Sequence, residues 1–223
     1  MAHRLFLVED HPIVRYGLVS LLEAEADLTV CGETDSAQEA RRRIPEVKPD
    51  LAIVDLFLVD GSGLALIKDL SAHSSLPILV LSAHAETLYA HRVLAAGARG
   101  YLMKSEAYWK IVEAARQLLD GNIYLSPDMT SAMLNAYMGD GPAPTNDPIE
   151  TLSDRELEVF TLMGRGLSRR NMAEALSLSP KTIDTYREHL KRKLSLDTNE
   201  QLRRNAAVWV ALDESTDGRP RAQ

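Results

Sequence analysis

One cysteine in 223 residues leaves no internal disulfide, and no stretch approaches the roughly 18 apolar residues that a bilayer span needs. The single thiol, Cys31, lies in an apolar run and is expected to fill core space rather than carry redox chemistry. A basic, apolar leader is missing too, since the chain opens straight into Arg4-Leu5-Phe6-Leu7-Val8, which predicts a cytoplasmic protein. Aromatic residues are few, at 5%, and between 121 and 150 there is no lysine or arginine. What remains is the composition of an ordinary globular chain. With 45% hydrophobic and 26% charged residues, wholesale disorder is excluded, and the length suits two cores rather than one.

Charge is unevenly divided. The formal net charge is −5 over 1–120, −4 over 121–150, +3 over 151–212 and −1 over 213–223. An acidic first half joined to a basic second half suits a control module fused to a nucleic-acid-binding one, although +3 alone is a weak sign.

Through residue 120, short apolar runs near 4–8, 28–33, 51–54, 77–81 and 99–102 alternate with amphipathic stretches near 12–25, 36–46, 62–72, 86–96 and 106–120. Continuous apolar runs between helical patterns predict a parallel sheet with helical crossovers, a doubly wound (βα)5 α/β domain over 1–122. Residues 123–148 read as a linker, with a breaker-rich end from Gly139 to Pro148 and room for one short helix over Met129–Met138. Four helical segments follow in 149–212. Ser153 with Glu156 forms a capping box for the first, which Gly164 and Gly166 end. Ser168 caps a second to Leu176, and Ser179 caps a third that has Pro180 at its first position and runs to about Leu194. Thr198 with Gln201 opens a fourth, to about Leu212, and 213–223 reads as a disordered tail.

In a doubly wound sheet, ligands bind at the carboxyl ends of the strands. There this sequence places Glu9 and Asp10 after the first strand, Asp55 after the third, Ser82 after the fourth and Lys104 after the fifth. Carboxylates brought together repel unless a hard cation neutralises them, and oxygen ligation with few protein groups suits Mg²⁺. Gly61 and Gly63 fit the following turn and helix start rather than a phosphate cradle. His11 and His84 also lie near this edge and read as loop or cap residues rather than zinc ligands.

On these residues the first 120 positions resemble the receiver domains of two-component response regulators, a flavodoxin/CheY-like fold. Glu9 and Asp10 match the acidic pair, Asp55 the phosphoacceptor, Ser82 the hydroxyl, Tyr101 the aromatic of the last strand, and Lys104 the lysine. The resemblance implies that Asp55 takes a phosphoryl group from a sensor histidine kinase. It also implies that Glu9, Asp10, Asp55 and the Phe57 carbonyl hold Mg²⁺, that Ser82 moves to meet the phosphoryl oxygens and that Tyr101 swings inward as the readout. The chain departs from the pattern in pairing Glu with Asp, and in Val59 and Ser105 where proline is common.

The second and third C-terminal helices, joined by Ser177-Leu178-Ser179, have the spacing of a helix-turn-helix. Ile183, Leu190 and Leu194 should face inward. Lys181, Thr182, Asp184, Thr185, Arg187, Glu188, Lys191 and Arg192 then join Arg169 and Arg170 as candidate DNA contacts, cations for phosphates and polar groups for base edges. The segment Leu152–Leu194 resembles the NarL/FixJ (LuxR-type) DNA-binding domain, with Asn171 and Met172 departing from its usual Glu and Ile. In that family the fourth helix supports dimerisation, here with Leu202, Ala206, Trp209 and Val210 as the contact face. Trp209 could equally belong to the core.

The resemblance implies a homodimer on promoter DNA, contact with RNA polymerase, no membrane partner, and no enzymatic activity beyond slow loss of its own phosphoryl group. Two other readings stay open. One is a regulator that binds DNA without needing phosphate. The other is a phosphatase of similar topology with Asp55 as nucleophile, although no insertion large enough for a substrate cap is present. A flavodoxin-like cofactor binder is weaker still, because no phosphate loop follows the first strand.

Overall fold

The computed structural model describes residues 2–58, 60–84, 86–138 and 148–216, and the chain divides into two compact units, Met1–Met133 and Leu134–Gln223. Val59 and the breaker-rich segment 139–147 lie outside the described residues.

In the first unit, strands β1 (His3–Val8), β2 (Leu28–Thr34), β3 (Leu51–Asp55), β6 (Ile78–Ser82) and β7 (Gly100–Met103) form one parallel sheet in the order β2-β1-β3-β6-β7. Helices α1 (Pro12–Glu23), α2 (Ala37–Val47), α3 (Gly63–His73), α4 (Glu86–Ala95) and α5 (Lys104–Leu119) make the crossovers. This is the expected doubly wound (βα)5 architecture. Register explains the apolar runs. Leu5, Leu7, Ile53, Leu79, Leu81 and Leu102 share a core with Leu18 and Leu22 of α1 and with Ile111, Ala114, Ala115 and Leu118 of α5. The alternate residues Phe6, Val8, Ala52, Val54, Ile78, Val80 and Tyr101 are buried as well, so the central strands are covered on both faces, while the edge strand β2 is mostly half-buried.

Some local features differ from expectation. A two-residue antiparallel hairpin, β4 (Phe57–Leu58) with β5 (Gly61–Ser62), follows Asp55. Gly63 then starts α3 against the site: a Cβ there would stand 2.0 Å from the Asp55 carbonyl oxygen, and its N–H donates to the Leu56 carbonyl at 2.9 Å. No other residue fits without moving the strand. The stretch after α5, read as the start of the linker, runs along the sheet edge instead. The Tyr124 carbonyl accepts from the Tyr101 N–H at 2.9 Å, which satisfies a donor of the outermost strand. Helix α6 (Pro127–Met138) begins two residues before the expected Met129, because the Ser126 hydroxyl caps it by accepting from the Met129 N–H. Cys31 is half-buried rather than in the core, its thiol 3.2 Å from the Leu5 carbonyl.

The second unit is all-α: a 3-10 turn (Pro148–Thr151), then α7 (Asp154–Gly164), α8 (Arg169–Ala175), α9 (Pro180–Lys193) and α10 (Asn199–Thr216). Each expected cap forms. The Ser153 hydroxyl accepts from the Glu156 N–H in a full capping box, Ser168 from Asn171, Ser179 from Thr182 and Thr198 from Gln201. Gly164 is the last residue of α7 rather than its stop. A Cβ there would stand 2.5 Å from the Ala206 carbonyl oxygen, so its bareness admits α10, and Gly166, at φ 83°, ends the turn. Helix α10 continues to Thr216, four residues beyond the expected Leu212, because no breaker intervenes before Gly218. Residues 217–223, the rest of the expected tail, lie outside the described residues.

Candidate functional sites

The carboxyl ends of four strands meet where the sheet predicts a site. Asp55, the last residue of β3, is 4% exposed, and Glu9, just past β1, is fully buried. Lys104, the first residue of α5, places its Nζ 2.8 Å from the Glu9 carboxylate and 3.0 Å from Asp55 Oδ2. Asp55 Oδ1 accepts from the Phe57 N–H at 3.3 Å. The longer side chain of Glu9 leans toward the lysine. It also accepts from the His11 N–H at 3.0 Å, while Arg15 donates to the Glu9 carbonyl. Asp10 Oδ1 is buried and accepts no hydrogen bond, although His11 Nδ1 lies 2.7 Å away.

Burial pushes the Asp55 carboxyl up to about 7; Lys104 opposes this, and Glu9 and Asp10 add to it. Burial works against the Lys104 charge as well, but the facing Asp55 and Glu9 outweigh it and raise its pKa, so the lysine stays cationic. Three carboxylates against one ammonium leave an excess of negative charge that a divalent cation would cancel. One ligand atom from each of Glu9, Asp10, His11 and Asp55 lies within 4.8 Å of the others. The orphaned Asp10 oxygen and this oxygen-rich donor set fit such an ion.

The two expected switch residues converge on one stretch of backbone. Ser82 is fully buried and its hydroxyl accepts from the His84 N–H at 3.1 Å. Tyr101 lies inward, 1% exposed, and its hydroxyl donates to the His84 carbonyl at 2.7 Å. The His84 ring packs edge-on against Phe57, with centroids 4.6 Å apart, and against Tyr89 at 5.3 Å. Sequence reasoning missed His84 in this role. Nothing in the local pattern marks a loop histidine as a bridge between Ser82, Tyr101 and the residue that holds Asp55.

In the second unit α8 and α9 form the helix-turn-helix pair. Ile183 and Leu190 are fully buried, and Leu194 is half-buried. Lys181, Thr185, Glu188 and Arg192 are exposed, while Thr182, Asp184, Arg187 and Lys191 are half-buried. Several expected DNA contacts are tied to one another. Arg169 holds Asp184 at 2.8 Å, joining α8 to α9, and Arg187 stands 3.7 Å from the same carboxylate. Arg170 pairs with Glu174 at 2.9 Å and Lys191 with Glu188 at 3.0 Å. Among the described residues, Lys181 and Arg192 pair with no carboxylate. Lys193 is a structural cation, 2.7 Å from Glu156 and 3.1 Å from the Thr151 carbonyl. The expected contact face of α10 is corrected: Leu202, Ala206 and Val210 are buried, with α10 packed on α7, and Trp209 is half-buried against Phe160. Of the large apolar residues on α10, Val208 and Leu212 are the exposed ones.

Among the described residues, no helix is long and apolar enough to cross a membrane. A family profile described as the response regulator receiver domain matches residues 5–116, and one described as bacterial regulatory proteins, luxR family, matches 150–206. The oxygen regulatory protein NreC of Staphylococcus carnosus is 31% identical over 215 residues, which is 94% of this chain and 99% of the relative. The DNA-binding transcriptional activator DevR/DosR of Mycobacterium tuberculosis is 33% identical over 208 residues, 93% of each. The solved complex of the two-component response regulator RcsB with DNA aligns with a TM-score of 0.67 at 25% identity, over 92% of this chain and 98% of that one.

Proposed function

The chain belongs to the luxR family of DNA-binding two-component response regulators, and on that premise we propose that phosphorylation of Asp55 switches its DNA binding. A sensor histidine kinase presents a phosphohistidine. An Asp55 carboxylate oxygen attacks the phosphorus, the P–N bond breaks, and the imidazole nitrogen leaves with the bond's electron pair and takes up a proton. Glu9, Asp10, Asp55 and the Phe57 carbonyl would hold Mg²⁺, whose positive charge would offset that of the transferring phosphoryl group. Lys104, already within hydrogen-bond reach of Asp55, is placed to take one phosphoryl oxygen, and Ser82 releases the His84 N–H to take another.

The observation that carries this reading is the shared His84 backbone. If the Ser82 hydroxyl leaves it, the segment that also holds the Tyr101 hydroxyl must readjust, so phosphate chemistry is coupled to an aromatic of the outer strand. Reversing a two-state population from about 1:99 to 99:1 takes about 5.5 kcal/mol, within reach of a few charge-assisted hydrogen bonds at roughly 1.5–3 kcal/mol each. The active form is a cytoplasmic homodimer that binds promoter DNA and engages RNA polymerase. It has no catalytic activity beyond slow hydrolysis of its own acyl phosphate.

One observation favours a second reading, DNA binding that ignores phosphorylation: Tyr101 already occupies the inward position with its hydroxyl satisfied. Treating wild type and Asp55→Ala with acetyl phosphate and Mg²⁺, followed by intact mass and DNA selection at a stated salt concentration, separates the two. The switch predicts a phosphoryl adduct and tighter specific binding, both lost in Asp55→Ala. Unchanged DNA affinity in labelled protein would leave the second reading.

A further inference from the structure

Helix α9 is the one that a helix-turn-helix lays in the major groove, with the residues of its first turns at the base edges. Lys181, Thr185, Glu188 and Arg192 make its exposed stripe, and Asp184 flanks that stripe with 45% of its side chain open to solvent. A carboxylate on such a face is costly, because phosphates lie on either side of the groove. Asp184 is nevertheless held in place: Arg169, the first residue of α8, donates to its Oδ2 at 2.8 Å across the two helices. Among the described residues Oδ1 accepts no hydrogen bond, and Arg187, at 3.7 Å, is too distant to give one. Glu188, the other acid of this face, is 65% exposed and pairs with Lys191 on its own helix, so its pair does not tie the carboxylate to a second element. A reader fixed before DNA arrives loses less freedom on binding, which favours Asp184 over Glu188.

A carboxylate only accepts, and the donors of the major groove are the amino groups of cytosine (N4) and adenine (N6). The adenine amino lies between two acceptors, its own N7 and thymine O4, which repel an anion from both sides. The cytosine amino has guanine O6 on one side and C5–H on the other. We propose that Asp184 determines the base preference of this DNA-binding unit at one position, its Oδ1 accepting from the N4 amino group of a cytosine while Arg169 holds the carboxylate and offsets its charge. The inference rests on α9 entering the major groove and is independent of phosphorylation at Asp55.

The test is DNA selection with the full chain at one stated salt concentration, with and without acetyl phosphate, for wild type and Asp184→Asn. Asparagine keeps an oxygen for Arg169 but adds a donor, which suits the N6 and N7 of adenine. Wild-type sites should carry a position at which cytosine is preferred, and Asp184→Asn should move that preference toward adenine while leaving the other positions alone. At that position a C·G→T·A change should weaken wild-type binding about tenfold and Asp184→Asn binding less than about threefold. Base preferences unchanged by Asp184→Asn, with or without a lower melting temperature, would overturn the inference and leave Asp184 as a strut between α8 and α9. If Thr185→Ala and Glu188→Gln leave every preference unmoved as well, α9 is not the reading helix, and the inference falls with that premise.

Discussion

The carboxyl edge of the receiver sheet and the helix surfaces of the DNA-binding unit put their charges to opposite uses. In the receiver unit, Glu9, Asp55 and Lys104 are buried or nearly so and come from positions 46 to 95 residues apart, so one ammonium holds carboxylates that water would otherwise hold. In the DNA-binding unit Arg169–Asp184 and Arg170–Glu174 pair through exposed side chains, and several pairs join residues three or four positions apart on one helix, such as Arg170–Glu174 and Lys191–Glu188. The difference teaches where charge serves chemistry and where it serves the surface. Buried unlike charges are strongly coupled and leave a large penalty when one is removed, whereas exposed pairs are screened.

The sharpest way to break that contrast is to delete the central cation. Lys104→Ala should destabilise the receiver by about 3–5 kcal/mol, because Glu9 and Asp55 are left buried and unpaired. Arg170→Ala should shift stability by less than about 0.5 kcal/mol. Denaturant unfolding of the two variants, followed by Trp109 for the first unit and Trp209 for the second, compares the costs directly; similar values would erase the distinction.

Asp55→Asn sharpens it further. The folded Asp55 binds its proton more tightly than the unfolded one, so between about pH 4 and 7 the native state holds more protons and wild-type stability falls as pH rises. In chelator, Asp55→Asn should therefore be more stable than wild type at pH 8, by roughly 2–4 kcal/mol, and the gap should close toward pH 4. A gap of constant size across that range would speak against the raised carboxyl.

Glu156 behaves with the opposite sign. Burial raises its pKa, but Lys193 and the Ser153 backbone and hydroxyl outweigh it, and the net shift is downward. Its contribution is present above the unfolded value near 4.5 and lost as pH falls through the lower folded value. Glu156→Gln should cost the second unit about 1–2 kcal/mol at pH 7 and little at pH 3, read by thermal melts across pH. The smallest expected effect belongs to the DNA surface. Lys181→Ala, which removes a cation engaged with no carboxylate, should reduce the salt slope of DNA binding by about 1 without changing sequence preference. Arg169→Ala should instead disturb the α8–α9 contact through Asp184, and its loss of affinity should be accompanied by a lower melting temperature.

How much was legible differs between the units for the same reason. In the DNA-binding unit nearly every boundary was readable, because a cap spans three residues and an apolar stripe repeats within two turns. Ser153, Ser168, Ser179 and Thr198 all do what their position implies. Where reading failed there, the partner was distant: Gly164 answers to Ala206, Asp184 to Arg169, and the apolar side of α10 to α7. In the receiver the strand-end residues could be named from the sequence, since the doubly wound pattern says where strands stop. Their pairing could not. Whether Glu9 faces an ion or a lysine, and whether Tyr101 meets solvent or His84, depends on side-chain length and on loops 17 to 95 residues away.

By itself, then, the sequence determined the order and ends of the elements, the two-unit plan and the set of residues brought to the sheet's carboxyl edge. Periodicity, capping and strand alternation are local, and a local signal survives without knowledge of the rest of the chain. Tertiary structure alone decided that Lys104 is shared between Glu9 and Asp55, that His84 bridges the hydroxyls of Ser82 and Tyr101, and that His11 turns from its helix toward Asp10. Hydrogen bonds and charges act over a few ångströms of space, and only the folded chain brings those atoms that close.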